Sequence, residues 1–186
     1  RAAVLALAAR AEGHPDNVAA ALYGGLTVAC ARPGGITAVS LPVPGHLRWV
    51  VLIPEITSAT AEARAVLPQT VPRADAVFNV QRVALLLASL QADRPESLRL
   101  ALEDRLHEPY RLSLFAWMSD VARAARQAGA LGCVLSGAGP SLLAVVSGDT
   151  QAVAQAMEAA LRQAGIAGRA RSLDVDGQGA VVHAVA

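Results

Sequence analysis

The order of elements written into this chain predicts an α+β fold, a two-layer sandwich with helices on one face of an antiparallel sheet. Three observations carry that reading. From residue 47 onward the pattern runs strand, several helices, two strands, helix, two strands. No internal repeat or low-complexity linker interrupts it. Pro42 and Pro44 form the sharpest break in the chain, which divides it into residues 1–45 and residues 46–186.

The elements follow from local chemistry. Residues 2–11 are rich in Ala and Leu, strong helix formers, and feed a polar stretch. Residues 18–22 continue as a short helix that Gly24-Gly25 stops. The β-rich runs 26–31 and 36–41 flank Arg32-Pro33-Gly34-Gly35, a hairpin signal. Residues 49–53 are an unbroken apolar run of strand length, expected to be buried on both faces. Residues 58–66 read as a helix with Ser or Thr at its N-cap, and 75–90 as a long helix capped by Asp75. Helices are expected at 96–106 and 112–128, the latter stopped by Gly129. Short strands at 133–135 and 142–146 enclose a Gly-Pro turn, and 150–164 is an amphipathic helix ending at Gly165. Strands at 169–175 and 180–185, joined across Asp176-Gly177, close the chain.

Composition narrows the function. Hydrophobic residues make up 54% of the 186 and charged ones 17%, against a usual charged share of about 25%. The most apolar windows are too short, or too broken by Gly, Pro and Ser, to span a membrane. Residues 2–9 lack a signal-peptide cleavage pattern, and a cytoplasmic location is expected. All 16 basic residues are arginines, so a lysine-dependent GxxxxGK phosphate loop is excluded. Dispersed arginines and a 3% aromatic content argue against a nucleic-acid surface. Cys30 and Cys133 have neither zinc-ligand nor disulfide-framework spacing and read as buried thiols.

Two stretches concentrate chemistry. Glu12-Gly13-His14-Pro15-Asp16-Asn17-Val18 places two carboxylates, an imidazole and an amide at a helix entrance. Glu12 reads either as a Mg²⁺ ligand, since that ion takes one or two carboxylates plus phosphate oxygens, or as a solvated helix end. His14 can donate to a substrate carboxylate or satisfy a loop carbonyl. Asn17 can cap the following helix or touch a ligand, and Asp16 can cap or act as a base. The second stretch, Leu135-Ser136-Gly137-Ala138-Gly139-Pro140-Ser141, lies between two strands. Its glycines allow a ligand close to the backbone, and exposed amides there can form an anion nest; the plainer reading is a tight turn. Arg64 and Arg111 read singly as surface arginines and jointly as a bidentate clamp for a carboxylate.

Taken together, these stretches resemble the homoserine kinases of the GHMP small-molecule kinase superfamily. The resemblance rests on the Glu12 to Val18 motif with Gly24-Gly25, on residues 60–68 with Arg64, on His107-Glu108-Pro109-Tyr110-Arg111, and on the Leu135 to Ser141 turn. It implies a remnant of an S5-like N-terminal domain followed by a ferredoxin-like C-terminal domain. It further implies ATP-dependent phosphorylation of the L-homoserine hydroxyl in threonine biosynthesis, with ATP and Mg²⁺ bound and a homodimer expected. By position, Glu12 matches the metal carboxylate and Asn17 the amide beside the accepting hydroxyl. His14, Thr60, Arg64, Arg111 and Gly137 match the substrate pocket, and Gly137, Ala138 and Gly139 the nucleotide-facing turn. Asp16 matches the region where some superfamily members carry a catalytic base. The family's Gly-Leu-Gly-Ser-Ser phosphate loop and its Pro-x-Ser-x-Asn segment are not in the sequence. The resemblance therefore covers about the C-terminal two-thirds of the family's length and implies an N-terminal segment supplied in cis or by a second chain. Two rival readings are a superfamily kinase for a non-amino-acid alcohol and a non-catalytic α+β binding domain.

Overall fold

The computed structural model describes residues 1–57 and 60–183. The chain divides into two compact units, one formed by Arg1–Val43 with Val175–Ala186 and the other by Pro44–Asp174.

In the first unit, helix α1 (Ala2–Glu12) buries Leu5 and Ala9 and ends at Gly13, whose φ of 87° and N–H bond to the Ala9 carbonyl form a left-handed cap. Helix α2 (Asp16–Tyr23) starts two residues earlier than the sequence suggests, directly behind Pro15. Strands β1 (Leu26–Arg32) and β2 (Gly35–Leu41) make the expected hairpin, in register from Leu26 opposite Leu41 to Arg32 opposite Gly35. Gly24 and Gly25 do more than stop α2. A Cβ on Gly24 would lie 2.6 Å from the Gly179 nitrogen, because residues 176–180 cross the chain here. The Gly25 N–H donates to the Asp176 carbonyl (2.8 Å), and the Ala180 N–H to the Leu22 carbonyl (3.3 Å).

These bonds explain a departure from the sequence reading. The second domain was expected to run to residue 186, yet its compact unit ends at Asp174 and the chain then returns to the first unit. Residues 180–183 form no strand; the rest of the expected closing strand lies outside the described residues.

The second unit opens with β3 (Arg48–Pro54) and α3 (Thr60–Ala65). The Ser58 N-cap candidate lies outside the described residues. Helix α4 (Arg73–Gln91) starts behind Pro72, so Asp75 does not cap it but pairs with Arg105 at 3.4 Å. The helix expected at 96–106 is broken into a 3₁₀ turn (Pro95–Ser97) and a short α5 (Leu98–Ala101). The cause is Asp104, whose carboxylate takes the N–H groups of Leu106, His107 and Glu108 at 2.7–3.2 Å and competes with helix continuation. A short α6 (Glu108–Arg111) follows. The helix expected from residue 112 begins only at Met118, as α7 (Met118–Gln127), after a turn in which the Leu114 and Phe115 N–H groups share the Arg111 carbonyl. Strands β4 (Gly132–Leu135) and β5 (Leu142–Val146), helix α8 (Thr150–Gln163) and strand β6 (Gly168–Leu173) complete the unit.

The sheet order is β4-β5-β3-β6, with every neighbouring pair antiparallel. With helices crossing between the first and second and between the third and fourth strands, this is the ferredoxin-like arrangement the sequence implies. Strand β3 corrects one expectation: Val50, Leu52 and Pro54 are buried while Ile53 is 48% exposed, so its apolar run buries one face. The buried face of the sheet shares one core with α7, through Met118, Val121, Ala122 and Ala125, and with α8, through Val153, Met157 and Leu161. Both sets follow helical spacing, and each fully buried Leu, Val or Met contributes about 1.5–3 kcal/mol. Asp149 caps α8 by accepting the N–H groups of Gln151 and Ala152. Cys133 is buried as expected, whereas Cys30 is exposed on the hairpin.

Candidate functional site

In the first unit the polar residues gather where α1 gives way to α2. His14 Nδ1 donates to the Asp16 carboxylate, and its Nε2 lies 3.6 Å from Glu12. The imidazole thus sits between two carboxylates. Asp16 Oδ1 also accepts the Asn17 N–H at 2.9 Å. Burial would raise the Asp16 carboxyl, but the Asn17 N–H and the His14 ring outweigh it and hold the group below the usual carboxylate range. That makes Asp16 a poor proton acceptor at neutral pH. Neither Asp16 nor Asn17 caps α2 with its side chain, so capping does not account for Asn17, whose side chain is exposed.

Glu12 is also exposed, at 52%. Among the described residues no group of three or more His, Cys, Asp or Glu side chains is placed to hold a metal ion. The Glu12 carboxylate therefore fits Mg²⁺ only as one hard oxygen donor alongside ligands from elsewhere, such as phosphate oxygens.

In the second unit, the site is organised by Arg111. Its guanidinium is 7% exposed and donates from Nε to the Ala63 carbonyl and from NH1 to the Gly137 carbonyl, both at 3.2 Å. One side chain thus ties α3 to the turn between β4 and β5. Arg64, next to Ala63, is exposed and meets no acceptor among the described residues. Thr60 opens the same short helix. The expected pair of equivalent carboxylate clamps is therefore unequal: two of the Arg111 donors are committed to backbone, while the Arg64 guanidinium is open.

The turn is held internally by the Ser136 N–H on the Ser141 carbonyl (2.9 Å) and the Gly139 N–H on the Ser136 carbonyl (3.1 Å). The N–H groups of Gly137 and Ala138 meet no acceptor among the described residues. Gly137 (φ 60°) is exposed, and a Cβ there would meet nothing within 4 Å. At Gly139 (φ 83°) a Cβ would lie 2.8 Å from Phe115 and 2.9 Å from Leu135. Gly137 thus offers an open backbone face, whereas Gly139 is enclosed and its N–H is already in use.

Sequence reasoning gave no role to Glu108 or Asp104. Glu108 Oε1 accepts the Leu135 N–H at 2.7 Å. Burial pushes its carboxyl above the ordinary Glu range; the Leu135 N–H opposes that, the Asp104 charge adds to it, and Arg126 and Arg111 pull it back. Burial would raise Asp104 as well, but the Asn79 amide and the N–H groups of Glu108, His107 and Leu106 outweigh it and hold that carboxyl low. Asp104, Glu108, Arg126 and Cys133 share the wall of a cavity of about 220 Å³. The available signal was an Asp shortly before a Glu-Pro helix start, a pattern that offers its carboxylate to the following N–H groups.

Comparison with known proteins adds descent to this geometry. The family model described as GHMP kinases C terminal matches residues 86–167. A homoserine kinase from a Nostoc species is 45% identical over 97% of this chain and 61% of its own length. One from Trichormus variabilis is 46% identical over 97% and 60%. The crystal structure of homoserine kinase from Cytophaga hutchinsonii superposes with a TM-score of 0.84 at 33% identity, covering 89% of this chain and 53% of the other. The chain thus spans about three fifths of the length of the curated relatives it matches. On sequence and fold together, residues 86–167 match a GHMP kinase C-terminal domain, and the chain is similar over nearly its whole length to part of the homoserine kinases.

Proposed function

We propose that this chain supplies the acceptor-binding part of a cytoplasmic kinase that transfers the ATP γ-phosphoryl group to the L-homoserine hydroxyl, giving O-phospho-L-homoserine for threonine biosynthesis. The observation that carries this reading is the Arg111 bridge. It draws α3, with the Arg64 guanidinium, to a turn whose Gly137 and Ala138 N–H groups, like that guanidinium, meet no acceptor among the described residues. A cation and two backbone donors in one corner suit a carboxylate or a phosphate oxygen.

Arg64 binds the homoserine carboxylate, and Arg111 keeps α3 and the turn in place with its remaining donors available. Asn17 orients the accepting hydroxyl, and its amide has no basic oxygen for the proton. His14, held by Asp16, contacts the amino acid; Asp16 serves as its anchor. Glu12 would hold Mg²⁺ with phosphate oxygens, and that ion would neutralise phosphate charge when bound. Positioning and charge neutralisation are what phosphoryl transfer chiefly requires. The segment that cradles the phosphates comes from the part of the relatives' length that this chain does not span.

Steady-state kinetics of the complete protein tests this reading. Arg64→Ala should raise the KM for homoserine about 10- to 150-fold, the loss of one charge-assisted bond, and leave the KM for ATP within about twofold. Equal losses for both substrates, or a preference for a non-carboxylate alcohol, would sink the assignment.

A further inference from the structure

We propose that Glu108 is a positioning residue for the Leu135 to Ser141 turn. Its acceptor oxygen fixes the entry of the turn at the Leu135 N–H while Arg111, three residues on in α6, fixes the Gly137 carbonyl. This deepens the kinase reading and rests on it for its catalytic consequence.

The two contacts grip the turn at alternate residues from one four-residue helix. That helix is itself held by Asp104, whose carboxylate takes the His107 and Glu108 N–H groups at 2.7 Å, and Asn79 on α4 anchors Asp104 at 2.6 Å. A chain of hydrogen bonds thus runs from α4 through Asp104 and α6 to the Leu135 N–H and the Gly137 carbonyl, beside the Gly137 and Ala138 N–H groups that meet no acceptor among the described residues. Gly137, with φ 60° and nothing within 4 Å of a would-be Cβ, has no packing of its own to fix it. Beyond the turn's own Ser136–Ser141 and Gly139–Ser136 bonds, its placement depends on what holds Leu135 and its own carbonyl.

The useful feature of Glu108 is its oxygen, not its charge. The titratable and charged groups around it are Asp104 on the preceding loop, Arg111 on α6, Arg126 on α7 and the neutral Cys133 thiol on β4. Burial raises its carboxyl above the ordinary Glu value and the Asp104 charge adds to that, while the Leu135 N–H, Arg126 and Arg111 oppose it. A neutral side chain of the same shape with a carbonyl oxygen should therefore serve as well. With its folded pKa raised, Glu108 makes the folded state bind its proton more tightly than the unfolded chain does. Stability then falls as pH rises from the unfolded carboxylate value towards the higher folded value.

The test compares Glu108→Gln, which keeps the acceptor, with Glu108→Met, which keeps the volume and lacks it, in the complete protein. Glu108→Met should lower kcat/KM about tenfold, the cost of roughly one hydrogen bond, and speed amide exchange at Leu135 through Gly139 without altering α8. Glu108→Gln should stay within about threefold of wild type on both readouts and lose the pH-dependent fall in stability. Impairment of Glu108→Gln equal to that of Glu108→Met, or unchanged Leu135 exchange in Glu108→Met, overturns the proposal. Should Glu108→Met not fold, Leu135 exchange in Glu108→Gln decides alone: wild-type protection upholds it and lost protection refutes it. Exchange is read without substrate, so absence of homoserine phosphorylation in the wild type counts against the kinase reading alone.

Discussion

The polar turn at residues 12–17 and the glycine turn at 135–141 are built on opposite principles. In the first, contacts are local: Asp16 takes its neighbour's N–H and reaches His14 two residues back, and Glu12 and Asn17 stay exposed. In the second, the holding contacts span 26 to 48 residues, from Arg111 to Gly137 and Ala63 and from Glu108 to Leu135. Local contacts form wherever the helix entrance forms. The long-range set exists only once α3, α6 and the β4–β5 hairpin have packed. The first turn should therefore tolerate substitution with little loss of stability, and the second should not.

The hardest test of that contrast is Arg111→Ala. It removes charged donors from the buried Ala63 carbonyl and from the Gly137 carbonyl and leaves a gap beneath α3, and should destabilise the second unit by about 3 kcal/mol in urea unfolding. Asp16→Ala, which breaks only exposed contacts, should cost less than about 1 kcal/mol. Comparable losses would erase the distinction between the two turns.

Within the glycine turn, Gly139→Ala should cost about 2–3 kcal/mol, since it adds a clash with Phe115 to an unfavourable φ. Gly137→Ala carries only the left-handed penalty of about 1–2 kcal/mol. Thermal melts of the two variants measure the difference, and equal shifts would show that the enclosed wall at Gly139 yields.

The smallest effect is chemical. Burial pushes the Cys133 thiol up to about 12, and Cys30 is exposed. Iodoacetamide at neutral pH should label Cys30 and leave Cys133 unmodified until urea opens the fold, because thiolate is the reacting form. Mass mapping of the labelled peptides reads this directly.

How legible all this was depends on the range of the interaction concerned. The hairpin at 26–41, the long α4, the amphipathic α8 and the β4–β5 pair follow from propensity, turn residues and periodicity, and the structure has them. The polar motif at 12–17 and the glycine turn stood out because dense polar groups and repeated glycines are unusual between apolar elements. The split of the expected 96–106 helix was not legible: Leu98 to Ala101 has helical propensity, and the distant Asn79 side chain on α4, taking the Arg105 N–H, and the Asp104 carboxylate it anchors, taking the Leu106 N–H, divert the groups that would have continued it. The one-sided burial of β3 was hidden because an apolar run does not reveal which face finds a partner.

The sequence by itself determined the element types, the α+β class, the absence of lysine chemistry and the positions of the two chemically dense turns, since these depend on residues close along the chain. The tertiary structure alone decided that Arg111 is a buried tie while Arg64 stays open, that Glu108 holds the glycine turn, and that residues 176–180 return to cross Gly24. Each of those outcomes turns on which distant carbonyl or N–H group reaches a given side chain. Only the packed sheet and helices bring such groups within hydrogen-bonding distance.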